Sequence, residues 1–482
     1  MRRRTKIVAT LGPATNSQAA IRELLAAGVD VVRLNFSHGS AKDHLQRAEW
    51  VRQAAQSLHR PVGILVDLQG PKIRLECFQG GVAQLVEGAE FVIDTQHPVH
   101  AGDASRVGVA YKELHQDVKP GNFLLVDDGR IELQVMKVVG TAVHTIVAMG
   151  GEVSDHKGIN LRGGGLSAPA LTEKDIHDMA IVADMAADYV AISFVRNAQD
   201  VQEARQRLLA LGCTAGIIAK IERTEALLVI ETIIDASDGI MVARGDLGVE
   251  IGDAELPAVQ KRLIAQARER NKVVITATQM MESMIHSQIP TRAEVFDVAN
   301  AVLDGTDAVM LSAETATGDY PVKVVQAVDR ICFRAERETV VKQSTHRINT
   351  HFERIDETIA MATMYAANHL GVTAIAALTE SGSTALAMSR ISSEIPIFAL
   401  TRHDQTMGKM ALYKGVHPLK LTGFFTDHAH ANKATIDLLQ AENAVVDGDK
   451  VIITKGDLMG VHGGTNALKI VEVGKLLEPG SL

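Results

Sequence analysis

Eight short runs rich in valine and isoleucine constrain this chain more than any other feature: Lys6–Leu11, Val29–Asn35, Gly63–Asp67, Tyr189–Phe194, Ala215–Glu222, Gly239–Arg244, Lys272–Thr278 and Thr306–Ser312. Longer amphipathic segments follow most of them, for example Lys42–Leu58, Asp200–Leu211, Pro257–Glu269 and Arg292–Leu303. Short apolar runs alternating with helical patterns signal a parallel sheet with helical crossovers. Eight repeats point to closure into a (β/α)8 TIM barrel, in which polar groups at the C-terminal strand ends converge on one mouth. A doubly wound open sheet is the weaker alternative.

The alternation breaks between about Pro71 and Ala170. There GGVAQLVEGAEFVIDTQ, NFLLVDDGRIELQVMKVVG and TAVHTIVAMGG alternate apolar and polar residues between Gly, Asp and Asn turns, which reads as antiparallel β. This predicts a small β-barrel lid inserted after the third strand. Gly163, Gly164 and Gly165 near its return point give the permissive backbone of a hinge or of a plain turn. Past about Val341 the polar stretch VKQSTHRINTHFER reads as a linker, and IDETIAMATMYAANHLG, TAIAALTESGSTALAMSR, PIFALTR and KVIITKGDLMG return to αβ alternation. The expected division is therefore a barrel over 1–70 and 171–340, a lid over 71–170 and a C-terminal α/β domain over 341–482.

A length of 482 residues with 46% hydrophobic content allows several cores. The net charge of −9 argues against nucleic acid or an anionic membrane as partner. Cys77, Cys213 and Cys332 are too scattered for a disulfide framework or a zinc site. The apolar run in MRRRTKIVATLGPAT is too short for a signal segment, and no stretch approaches a membrane span. The expectation is a reduced, soluble, cytoplasmic protein.

Chemistry concentrates in Ile217–Glu250, where the runs IIAKIE and GIMVARGD each close on a carboxylate. Parallel strands end on one side of a sheet, so Glu222 and Asp246 can converge across the 24 residues between them. Two carboxylates suit Mg²⁺, which usually takes one or two and completes its octahedron with water or substrate phosphate. Lys220 shares a strand face with Glu222 by the period of two. A bland reading stays open: an ion pair at a strand end, with Asp246 capping the next helix.

Other strand ends add Arg33, Asn35 and Ser37 on one face of VVRLNFSHGS, with His38 opposite or in the loop. LVDLQGPKIR puts Asp67 at the rim with Lys72 and Arg74 where the lid begins, AISFVRN offers Ser193 and Phe194, and ITATQMMESM offers Thr278. In the C-terminal part Thr379–Thr384 (TESGST) follows a strand-like run and opens a helix, which makes either an anion cradle or an ordinary turn.

The stretches KIVATLGPAT, VVRLNFSHG, DLQGPKIR, IIAKIER, MVARGDLGVE, TATQMMESM, PTRAEVFDVANAVLDGTDAVMLSAETA and TESGST, in this order, resemble the pyruvate kinase family across nearly the whole chain. The resemblance implies transfer of the phosphoryl group of phosphoenolpyruvate to ADP, with Glu222 and Asp246 holding Mg²⁺ or Mn²⁺ and Lys220 against the phosphoryl group in flight. It implies Arg33 on the substrate phosphate, Ser193 among the substrate contacts, backbone amides around Arg244, Gly245 and Asp246 on the substrate carboxylate, and Thr278 in proton delivery. Asn35, His38, Arg74 and Lys174 fall to the nucleotide. Members that need K⁺ have Thr-Lys after the third-strand Asp and a Glu at the position of Lys72; here the run is Asp67-Leu68-Gln69-Gly70-Pro71-Lys72. That departure implies an enzyme independent of K⁺, with Lys72 replacing an ion otherwise held near Asn35, Ser37, Asp67 and Leu68. The alternative is that Lys72 merely pairs with a rim carboxylate. Thr379, Glu380, Ser381, Gly382, Ser383 and Thr384 would hold the phosphate of a sugar-phosphate or nucleotide activator, and a homotetramer is implied. Two other classes remain: a Mg²⁺-dependent barrel lyase or aldolase acting on phosphoenolpyruvate-like substrates, and a non-catalytic metabolite sensor.

Overall fold

The structure, a computed structural model, describes residues 3–338, 351–423, 427–457 and 463–475. Most of the expected linker (residues 341–350) and the end of KVIITKGDLMG (residues 458–460) lie outside the described residues.

The eight apolar runs form a closed parallel barrel. Its strands in chain order are Lys6–Leu11, Val31–Asn35, Gly63–Asp67, Tyr189–Ile192, Gly216–Ile221, Gly239–Ala243, Val273–Ala277 and Ala308–Leu311, the first pairing with both the second and the eighth. They are shorter than the apolar runs because Phe194, Glu222, Arg244 and Thr278 lie beyond the last ladder bonds, at the C-terminal ends of the strands. Residues facing the helices, such as Ile7, Val32, Ile64, Val190 and Ile217, join the layer beneath the outer helices, while Val8, Leu65, Ile218, Met241 and Ile275 fill the interior. Both faces are buried, so the strands read as continuous apolar runs.

The outer helices carry their own start signals. Ser40, Thr172 and Thr291 each cap a helix by accepting the N–H three residues on, with Asp43, Asp175 and Glu294 reciprocating. Between the fifth and sixth strands the expected helix is two short ones, Thr224–Leu228 and Ile230–Ala236.

The insertion, expected as a small β-barrel, is built from a six-stranded sheet and a two-stranded ribbon around one apolar core that includes Ile73, Phe91, Leu124, Leu133 and Val147. Its return runs through Gly163, Gly164 and Gly165, all at positive φ of 83°, 80° and 111°, a conformation that side chains disfavour.

The C-terminal unit is a five-stranded sheet, parallel except for its last strand Thr465–Glu472. Helix Ile355–Leu370 contributes Met364 and Ala367 to the cluster that continues into the barrel interior. This unit seats on the N-terminal end of the barrel, opposite the mouth: Tyr189 donates to the Lys409 carbonyl at 2.7 Å and the Lys6 ammonium to the Val416 carbonyl at 2.7 Å. No helix of the described residues is long and apolar enough to cross a membrane.

Candidate active site

Register sets the first half of the mouth. Thr10 pairs with Arg33 and Asn35 with Asp67 on adjacent strands. Arg33 donates through Nε to Asp67 Oδ2 at 2.7 Å and through its terminal nitrogen to Thr10 Oγ1 at 3.0 Å. Ser193 Oγ donates to the Leu68 carbonyl at 2.8 Å. Gly70 makes this contact possible: it sits at φ 67°, and a Cβ there would come 2.6 Å from Ser193 Cβ.

Lys220 is the centre of the cluster. Its Nζ lies 3.0 Å from Glu222 Oε1, 3.3 Å from Asp67 Oδ1 and 2.7 Å from Ser193 Oγ. The other Glu222 oxygen accepts the Phe194 N–H at 2.7 Å. Burial alone would lower the Lys220 pKa, but Asp67 and then Glu222 outweigh it and hold the ammonium above its ordinary value. Burial would also lift Asp67, yet Lys220 and Arg33 keep it below the usual carboxylate range. Glu222 goes the other way: burial raises its pKa despite Lys220, and the Asp246 carboxylate raises it further.

That last effect tests the fit of a divalent cation. Glu222 and Asp246 repel within electrostatic reach, and a dication between them relieves the repulsion. Among the described residues no group of three or more His, Cys, Asp or Glu could hold a metal ion. Glu222 and Asp246 are two hard oxygen donors, a set that suits Mg²⁺ with water or substrate completing its octahedron.

Asp246 lies in the first turn of helix Arg244–Ile251, which starts directly after the sixth strand. The Gly245 N–H donates to Thr278 Oγ1 at 2.9 Å, and the Thr278 hydroxyl donates to the Ala277 carbonyl at 2.6 Å. Thr278 stands at φ 67° and Phe194 at φ 55°; a β-branched or bulky side chain there is strained, a feature that clusters at functional sites. The Arg244 side chain turns away to the carbonyls of Ala277 and Thr278 and to Asp297 at 2.7 Å. Only its backbone remains for a substrate.

Ser37 stands elsewhere than expected, while His38 and Arg74 lie where the sequence puts them. The second strand ends at Asn35, so Ser37 is not on its face but in the next turn, where its N–H donates to Asn35 Oδ1 at 3.1 Å because an Asn carbonyl readily closes such a turn. His38 is in the loop and exposed. Lys174 spends its ammonium on the Phe36 carbonyl at 2.8 Å and on Asp178 at 2.5 Å. Arg74 donates to the His156 carbonyl at 2.8 Å on the lid. Lys72, expected to replace in function an ion near Asn35, Ser37, Asp67 and Leu68, contacts Asp246 Oδ1 at 3.0 Å, the rim-carboxylate pairing that stood as the alternative; the positive charge at the Asp67 corner comes from Arg33 and Lys220. The sequence did not point to Asp128, which lines the cleft beside Asp127, the partner of the lid cation Lys157 at 2.7 Å; the run DDG signals only a turn. The cleft between lid and barrel has a volume of about 820 Å³ and includes Lys72, Arg162, Asp246, Thr278 and Glu314 in its wall.

In the C-terminal unit the loop at Thr379–Thr384 turns at Gly382, φ 85°, whose N–H donates to Thr379 Oγ1 at 2.9 Å. Ser381 and Ser383 stand 3.2 Å apart at their hydroxyls. Glu380 is held by Arg402 at 3.0 Å and His403 at 2.6 Å, and Thr384 by Thr465 at 2.8 Å.

The family model described as pyruvate kinase, barrel domain, matches residues 2–325, and that for pyruvate kinase, alpha/beta domain, matches residues 357–471. Pyruvate kinase II of Salmonella typhimurium is 53% identical over 475 residues, covering 98% of this chain and 99% of its own length. The pyruvate kinase of Haemophilus influenzae is 51% identical over 458 residues, 94% and 96% of the two chains. That of Mycobacterium tuberculosis is 41% identical over 483 residues, 98% and 99%.

Proposed function

The chain belongs to the pyruvate kinase family and transfers the phosphoryl group of phosphoenolpyruvate to ADP, giving pyruvate and ATP; we propose that the transfer runs at the barrel mouth around Lys220, Glu222 and Asp246. The observation that carries this reading is the Lys220 ammonium held 3.0 Å from Glu222 and 3.3 Å from Asp67 at the strand ends.

Phosphoryl transfer has little covalent chemistry for a protein to perform; positioning and charge neutralisation dominate. The family uses a divalent metal; when bound, Mg²⁺ or Mn²⁺ neutralises substrate oxygens, and Glu222 and Asp246 are the residues to hold it. Lys220, kept charged by its carboxylate neighbours, faces the charge that grows on the migrating group. Arg33, oriented by Asp67 and Thr10, takes the substrate phosphate, with Ser193 and the backbone of Arg244, Gly245 and Asp246 as further contacts. Thr278 stands ready to relay a proton to the enolate. On the nucleotide side Asn35, His38, Arg74 and Lys174 carry the reading, Arg74 and Lys174 each with a backbone carbonyl as partner, that of His156 and that of Phe36. A coupled assay tests the whole: pyruvate formation that requires ADP supports it, turnover without ADP favours the lyase, and binding without turnover the sensor.

The finer reading is an enzyme independent of K⁺, activated through Thr379–Thr384 by a sugar phosphate or nucleotide, assembled as a homotetramer in the cytoplasm, with the division at residues 70, 170 and 340. Exposed Ile289 and Phe296, at 74% and 69%, support burial of the barrel flank in an assembly. The paired Ser381 and Ser383 hydroxyls support the phosphate loop; full activation of a Ser381→Asp chain by every such metabolite contradicts it.

A further inference from the structure

Lys72 lies between Pro71 and Ile73, where the chain leaves the barrel; Ile73 already belongs to the lid core. Its partner Asp246 belongs to a barrel helix. The 3.0 Å ion pair between them therefore ties lid to barrel, and both side chains are largely buried, 28% and 20% exposed. The lysine stem is seated: a Cβ on Gly158 of the lid would stand 3.2 Å from Lys72 Cε. The ammonium is thus delivered to Asp246 by the lid's own packing.

Asp246 is also half of the carboxylate pair read above as the metal site. An ammonium in contact with one of its oxygens and a dication on the same carboxylate repel each other, and in a half-buried cleft that repulsion is poorly screened. We propose that Lys72 is the divalent metal's internal competitor for Asp246: the ammonium holds the carboxylate until the metal displaces it, and the displacement releases one of the lid's ties to the barrel, while those of Leu166 to Arg223 and of Gly163 to Glu250 remain. Lys72 is then a positioning residue, acting on the reaction through Asp246. This inference rests on the assignment of Glu222 and Asp246 to the metal.

The test is a titration of the full chain with Mn²⁺ alone, followed by electron paramagnetic resonance, without phosphoenolpyruvate or nucleotide. Lys72→Met, with Lys72→Gln as a second neutral variant, binds Mn²⁺ roughly tenfold more tightly than the parent chain, and Lys72→Arg restores the parent affinity. Arg162→Met, which removes a cation from the same cleft wall but one paired with Glu132, changes affinity less than about threefold. In the parent chain Mn²⁺ alone speeds amide exchange at residues 72–74; in Lys72→Met exchange there is fast from the start. Equal or weaker binding by both neutral variants overturns the proposal, as does equal tightening in Arg162→Met. Loss of Mn²⁺ binding in Asp246→Asn beside an unchanged Lys72→Met leaves the metal site standing and removes only the competitor. Asp246→Asn and Glu222→Gln that bind like the parent chain remove both.

Discussion

Arg390, directly after the helix that opens at the Thr379–Thr384 loop, forms a two-pronged ion pair with Asp307 at the foot of the eighth barrel strand, and both side chains are 1% exposed. Asp307 also accepts the Val274 N–H of the seventh strand at 2.9 Å and the Lys414 N–H at 3.1 Å. The pair clamps the C-terminal domain to the two strands whose far ends carry Thr278 and Glu314. Removing one partner strands a buried charge, so Arg390→Met lowers unfolding free energy by about 3–5 kcal/mol. Urea denaturation measures it; a loss below about 1 kcal/mol contradicts the clamp.

Lys220→Met leaves Asp67 and Glu222 without their shared ammonium and, in the role proposed for Lys220, removes the charge opposite the moving phosphoryl group. Turnover falls at least about a hundredfold, equivalent to roughly 2.7 kcal/mol in the barrier, while KM for ADP changes little because Lys220 lies on the acidic pair rather than among the nucleotide residues. A steady-state assay against both substrates separates the two.

Glu250 is buried beside the lid return, accepting the Thr224 N–H at 2.8 Å, and burial lifts its pKa to about 7. The unfolded chain releases this proton near pH 4.5, so the folded chain binds more protons between 4.5 and 7. Its contribution to stability is therefore complete below about pH 4.5 and is lost as pH rises through 7. Glu250→Gln keeps an acceptor for Thr224 and removes the titration. Its melting temperature relative to the parent chain climbs between pH 4.5 and 8, by an amount worth about 3 kcal/mol at the alkaline end. Melting curves across that range decide, and a pH-independent difference contradicts the assignment.

Potassium makes a second functional test. In Tris buffer free of K⁺ the chain turns over at a rate that KCl raises less than about tenfold, because Arg33, Lys220 and Lys72 already bring positive charge to the mouth. A larger rise shows that the ion is required.

The barrel was legible because eight strands buried on both faces leave continuous Val and Ile runs, and the Lys220–Glu222 contact followed from the period of two. The residues just past the strand ends were not, since side-chain direction there depends on turns that periodicity does not encode. Ser37 and the Arg244 side chain are such cases. Lys72 was visible as a departure from a motif, but its partner was not: Asp246 lies 174 residues away, and only the seating of the lid against the barrel brings the two together. Lys157 and Asp128 belong to the same class, set by how the lid folds over the cleft.

The most direct test is a crystal soaked with Mn²⁺ and oxalate, a mimic of the enolate, with anomalous scattering locating the metal. The account predicts one peak about 2.0–2.2 Å from a carboxylate oxygen of both Glu222 and Asp246, with the Lys220 ammonium facing the oxalate. A peak seated elsewhere in the cleft, or one touching neither carboxylate, contradicts it.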